Sequence, residues 1–215
     1  MSSPSAYRYA YYEEVTGRRS SILTIASLIL CSCSSPPPAK PEPKPPPEPI
    51  TARTAFQRVF GAARAWATDA QIYEIRHVNL RAVPTKAGKA GAWLMTFVSP
   101  SRGRSKNFTY SVVEAEGNIH EGVFQQPEEA FRATGQTPFL FQALRTDSDA
   151  AYETAVKRSE AYIKKNPDKP VNLVLQQTRR HPNPVWRVYW GDSIGTSNYS
   201  VLVNASTGAY VETLR

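Results

Sequence analysis

The 215-residue chain has only two cysteines, Cys31 and Cys33, and none after them. Everything downstream therefore lacks the means for a disulfide framework or a thiolate metal site. Histidine is scarce too: His77, His120 and His181 make the full set. His77 falls in a strand-like stretch without an Asp, Glu or Cys at ligand spacing. His120 is followed by Glu121, but neighbours on a strand point to opposite faces. His181 belongs to a proline-rich turn, so all three read as structural or surface histidines. Glycine-rich phosphate loops and nucleophile elbows are missing. The acid pairs Glu114/Glu116 and Glu128/Glu129 read as solvated groups, not as a glycosidase pair held across a cleft. The chain is therefore expected to be non-enzymatic, with no catalytic residue, cofactor or metal.

Long apolar runs are also wanting. One begins at Ser20, ends at Leu30 and follows Arg18-Arg19. At about eleven residues it is too short to cross a bilayer, which needs roughly 20. It suits the apolar region of a signal peptide, with the arginines as its positive flank. Next comes Leu30-Cys31-Ser32-Cys33, which resembles the lipobox of bacterial lipoproteins. Leu30 takes the aliphatic position and Ser32 the small position before the modified cysteine. The resemblance implies cleavage after residue 32 and lipidation at Cys33, with Cys31 as the alternative. Acyl chains contribute about 0.8 kcal/mol per buried CH₂, enough for stable anchoring when more than one chain is attached. Ser34 follows in place of the Asp that resembles an inner-membrane retention signal. The expected location is thus a lipid anchor facing periplasm or exterior, on the outer membrane of a two-membrane cell.

Proline is abundant, with 18 residues, nine of them between Pro36 and Pro49. Lacking amide donors and fixed in φ, that run excludes helix and sheet interior. It is expected to form an extended spacer able to hold a domain roughly 50 Å from its anchor. From Thr51 onward 21 Lys and Arg face 14 Asp and Glu, so most of the overall +8 charge belongs to the folded part. Such an excess favours anionic surfaces without choosing among them.

Beyond the spacer the periodicity becomes that of packed structure. Phe56, Val59, Phe60, Ala63 and Ala67 recur at helical spacing, with Thr54 as the expected N-cap. Strand-like segments follow at 72–83, 93–98, 108–113 and 119–124. A second helix is expected after Asp147-Ser148, then strands at 171–178, 185–190, 198–204 and 209–214. The halves correspond residue by residue in places. Trp93 matches Trp186, and Asn107-Phe-Thr-Tyr through Gly117 to Glu121 overlays Asn198-Tyr-Ser-Val through Gly208 to Glu212 without a gap. This points to an internal duplication. The segment 125–146, with Phe139-Leu-Phe-Gln-Ala-Leu144, is readable either as an extra strand or short helix joining the halves or as an apolar partner-binding segment.

Trp186-Arg-Val-Tyr-Trp, Tyr199-Ser-Val-Leu-Val-Asn-Ala-Ser-Thr-Gly208 and Ala-Tyr-Val-Glu212 resemble the PepSY domain, and the first half resembles it in degenerate form. The resemblance implies an α+β fold of two repeated units, each one helix on an antiparallel sheet. The expected division is a signal peptide at 1–32, a linker at 33–50, a first unit at 51–126, and a connecting segment with a second unit at 127–215. It also implies protein binding outside the cytoplasm, through edge strands or the cleft between units, with a peptidase as a candidate partner. The alternative is an accessory subunit of a membrane complex docked through basic turns: Arg102, Arg104 and Lys106, and Arg179 and Arg180, with Lys86 and Lys89 nearby in pattern. Nucleic acid is not expected as a partner, because the alternating aromatics read as core.

Overall fold

The computed structural model describes residues 45–215. Cys31, Cys33, the apolar run and most of the proline-rich segment lie outside the described residues. Helix α1 (Ala52–Trp66) leads into β1 (Gln71–Val78), β2 (Ala92–Ser99), β3 (Arg104–Ser111), β4 (Gly122–Gln125) and the short β5 (Glu129–Ala130). A 3-10 turn at Phe141–Ala143 precedes helix α2 (Ser148–Lys165), followed by β6 (Val171–Gln176), β7 (Val185–Trp190), β8 (Ser200–Asn204) and β9 (Tyr210–Leu214).

The expectation of two repeated helix-on-sheet units is corrected here. Among the described residues the strands form one antiparallel sheet of nine, in the order β4-β3-β2-β1-β6-β7-β8-β9, with β5 beside β3. The join is the pairing of β1 with β6 through Glu74–Gln176, Ile75–Leu175 and Arg76–Val174. Each strand would otherwise leave a row of backbone donors and acceptors unpaired, and their union satisfies both. The class remains α+β, but there is one sheet and one continuous core.

That core lies between the sheet and the two helices. Trp93, Met95 and Phe97 of β2 and Trp186, Val188 and Trp190 of β7 point the same way, as alternation on a strand requires. Helix α1 buries Ala55, Phe56, Val59 and Ala63; the fully buried residues of α2 are all small (Ser148, Ala151, Ala155 and Ser159), with Tyr152, Tyr162 and Ile163 packed at the margin of the core. Small side chains let α2 sit close to β7 and β8. Phe60, expected in the core, is instead 44% exposed.

The N-cap of α1 is Thr51, not Thr54; the Thr51 hydroxyl accepts the Thr54 amide at 3.3 Å. A cap must precede the first turn whose amides it satisfies. Asp147 caps α2 as expected. Its Oδ1 takes the Ser148 amide at 2.7 Å and also the Arg53 amide of α1 at 3.0 Å. Ser148 Oγ accepts from the Ala52 amide at 3.0 Å. The two helix N-termini therefore meet, and one carboxylate offsets the positive ends of both.

Segment 125–146 has its own path. After β5 it bridges Gln136 to Thr178 and Phe139 to Ile72, and then stacks Phe141 on Phe56 with ring centroids 4.0 Å apart. It contributes backbone pairs to both sides of the sheet and an aromatic cover for α1.

Candidate binding face

Both helices lie on one side of the sheet, so the opposite side carries no helix; residues 129–136 pack over part of it, with Phe131 edge-on to Tyr73 and Gln136 donating to Gln176 Oε1 at 2.7 Å. The side chains of that face are the alternate residues of each strand. Cross-strand register carries one row across eight strands: Phe124, Thr109, Leu94, Arg76, Val174, Arg187, Leu202 and Glu212. The floor of the row is apolar and its heads are charged. Val174 and Leu202 are buried although no helix covers them. The aliphatic stems of the adjacent arginines account for this, since long basic side chains lay their methylenes on apolar surface and keep the charge in water.

Three hollows open on this side. The widest, about 560 Å³, lies over the β1–β6–β7 region and is lined by Glu74, Arg76, Leu94, Val174, Tyr189 and the 192–195 loop. A second of about 420 Å³ lies between Tyr73, Thr96, Ser105 and residues 129–132. The third, about 150 Å³, is bounded by Val185, Arg187, Leu202 and Glu212.

The electrostatics centre on two arginines that flank Val174. Arg76 is exposed and meets Glu74 at 3.7 Å. Arg187 is half-buried; its Nε donates to Ser200 Oγ at 3.0 Å, and no carboxylate forms an ion pair with it among the described residues. Burial lowers its pKa from the usual arginine value, with Tyr189 acting the other way. Tyr189, two residues on and on the same face, has its pKa raised, chiefly by burial. It stays a neutral O–H donor at physiological pH.

At the seam, His77 replaces a missing ladder bond. β1 and β6 stop pairing after Arg76, and the Leu173 amide donates to His77 Nδ1 at 3.1 Å. Nδ1 is thus the acceptor, and the ring proton sits on Nε2, which donates to Asn172 Oδ1 at 2.9 Å and Asn79 Oδ1 at 3.1 Å. Burial pushes the His77 pKa down. The arrangement holds two strands together, and His77, Asn79 and Asn172 border the widest hollow.

The basic turns singled out from sequence fall at two ends of the sheet. The β2–β3 and β6–β7 connections share one end, and Lys86 and Lys89 occupy the other. Arg102 donates to Glu128 Oε2 at 2.7 Å and to the Trp66 carbonyl at 2.9 Å. Arg104 reaches the same carboxylate at 3.4 Å, and Lys106 Nζ lies 5.6 Å from the Phe108 ring. Arg180 pairs with Glu212 at 2.7 Å, while Arg179 is exposed in the same turn. Three of these five cations are thus held by carboxylates of the fold itself. The acid pairs are separately engaged: Glu114 takes His120 Nδ1 at 2.8 Å and the Glu121 amide at 3.0 Å. Among the described residues no group of three or more His, Cys, Asp and Glu is placed to hold a metal ion.

Arg76, Arg187 and Tyr189 were not singled out from sequence as site residues. The signal was present in Val185-Trp-Arg-Val-Tyr-Trp190, where polar residues alternate with tryptophans and so must face away from them.

No family model matches the chain, and no curated protein matches it. A solved structure of a candidate lipoprotein from Clostridium difficile 630 is similar at 10% identity, with a TM-score of 0.45, over 74% of this chain and 91% of that chain. A likeness that slight carries no function across. Among the described residues no helix is long and apolar enough to cross a membrane.

Proposed function

We propose that the chain is a non-enzymatic envelope lipoprotein, anchored at Cys33, whose folded region binds a protein partner on the helix-free side of its sheet. The single observation behind the binding role is that side: a row of apolar and charged residues with three hollows along it. The anchor reading is supported by the Leu30-Cys31-Ser32-Cys33 box and the short apolar run before it. A peptidase as partner follows only from the PepSY-like residues quoted above.

Docking through the basic turns is the weaker reading, because Arg102, Arg104 and Arg180 already neutralise Glu128 and Glu212. A photo-reactive residue at Thr96 or Leu94, on the helix-free side, is compared in intact cells with one at Glu160, on the exposed side of α2. A discrete adduct from the sheet positions is expected. Adducts from Glu160 alone, or from neither side, would overturn the reading. Fractionation of the same cells reports whether the anchor is in the outer membrane.

A further inference from the structure

Among the groups on the helix-free side, Arg187 stands out because a half-buried guanidinium without a carboxylate is costly unless something supplies one. The other part-buried arginines are satisfied within the fold: Arg104 meets Glu128 at 3.4 Å, and Arg53 donates to the Leu144 and Arg145 carbonyls. Arg187 has only Ser200 Oγ, which leaves its terminal nitrogens free for a ligand. Arg76 lies across Val174 on the far side, two strand spacings or about 10 Å away along the row. Its own acid, Glu74, is at 3.7 Å, too long for a hydrogen bond. Tyr189 and Arg76 line the widest hollow together with Val174, while Arg187 lines the third.

We infer that Arg76, Arg187 and Tyr189 form the recognition centre for an acidic segment of the protein partner, seating a carboxylate over Val174. This rests on the binding reading above and specifies the partner's chemistry. Guanidinium forks match carboxylates in a bidentate geometry, and the tyrosine supplies a further donor. Leu94, beside Arg76 in the row and part-exposed, offers apolar contact for a residue next to the acid. A protein segment fits better than a lipid surface. Arg187 is part-buried within the sheet face, where a protruding side-chain carboxylate can reach it and a flat layer of headgroups cannot.

The test uses the full chain in mild detergent and a labelled peptide of alternating Glu and Leu, with Gln/Leu and Lys/Leu counterparts, followed by fluorescence anisotropy. The acidic peptide is expected to bind at least tenfold more tightly than the Gln peptide. Arg187→Met, which keeps the stem over Leu202 and Val174, is expected to lose about tenfold, and Arg76→Met with it more. An Arg187→Glu variant should transfer preference to the Lys peptide, which a merely unfolded protein would not do. Equal binding of all three peptides would overturn the inference. So would loss of binding to vesicles with 30% anionic lipid in the Arg76/Arg187 variants while peptide binding stays unchanged. In cells, a sheet-face adduct that persists undiminished in the Arg76/Arg187 double variant would refute the acidic recognition while leaving the binding reading intact. The absence of any adduct would instead count against that earlier reading.

Discussion

Trp93 and Trp186 meet edge to face, with ring centroids 6.4 Å apart and planes inclined at 70°. They come from β2 and β7, on opposite sides of the β1–β6 join, and both are fully buried. Each indole N–H ends on the carbonyl just before a helix cap: Trp93 on Ile50 at 3.0 Å, Trp186 on Thr146 at 2.9 Å. Two side chains thus tie the sheet, both helix starts and the central seam into one cooperative unit.

Replacing Trp186 with Phe should cost about 1–2 kcal/mol, from the lost N–H bond and the stranded Thr146 carbonyl. Trp186→Ala should cost roughly 3–5 kcal/mol through the cavity it leaves. Urea unfolding measures both. Unfolding should remain a single transition, because the contact bridges the seam.

Asp147→Ala removes an acceptor used by amides of both helices, so its cost should sit at the upper end of a cap deletion, about 2 kcal/mol. Ser148→Ala strips the Ala52 amide of its acceptor and should cost about 1 kcal/mol or more. A double-mutant cycle between the two should give a non-zero coupling energy, since they cap consecutive amides of the same turn.

His77 makes stability pH-dependent. Its folded pKa is depressed below the ordinary 6.5 by burial. The unfolded chain therefore binds the proton more readily, so this contribution is complete above pH 6.5 and is lost as pH falls through the lower folded value. Protonation would also remove the acceptor for the Leu173 amide. Urea midpoints between pH 8 and pH 5 should decline, and His77→Leu should flatten that part of the slope. The same substitution should cost about 1–3 kcal/mol at pH 8 by leaving the amide unsatisfied.

Gly88 has φ of +77°, and a Cβ there would lie 2.5 Å from the Ser148 carbonyl oxygen. The turn between β1 and β2 rests directly on the first turn of α2. Gly88→Ala should destabilise by at least about 1–2 kcal/mol from backbone strain alone, with the clash added. Gly103, also at positive φ but with nothing within 4 Å of its Cβ position, serves as the control that isolates strain from contact.

Cys33→Ser should abolish incorporation of a labelled fatty acid. Label that persists in that variant and disappears in Cys31→Ser would move the anchor two residues upstream.

Local structure was largely legible in the sequence. The strand 185–190 was placed with its observed ends, and both helices were located, because amphipathic periodicity is written in neighbouring residues. The correspondence of Trp93 with Trp186 was visible as well. Cap and face details went astray where tertiary contact intervened. Phe60 follows helical spacing but lies beside Leu140 and Phe141 at the surface, and the last observed residues of β1 precede the expected end by several positions.

By itself the sequence determined the segments: an apolar run, a proline-rich stretch, two amphipathic helices and a set of alternating strands, each specified by short-range spacing. Only the tertiary structure decided that β1 would pair with β6 to make one sheet. Backbone ladders between residues about a hundred positions apart, such as Glu74 and Gln176, leave no periodic mark in either partner. The same long-range pairing decided which polar groups were spent and which left over. It brought Glu128 to Arg102 and Arg104 and Glu212 to Arg180, and it placed Arg76 and Arg187 on either side of Val174, Arg187 with no carboxylate partner among the described residues.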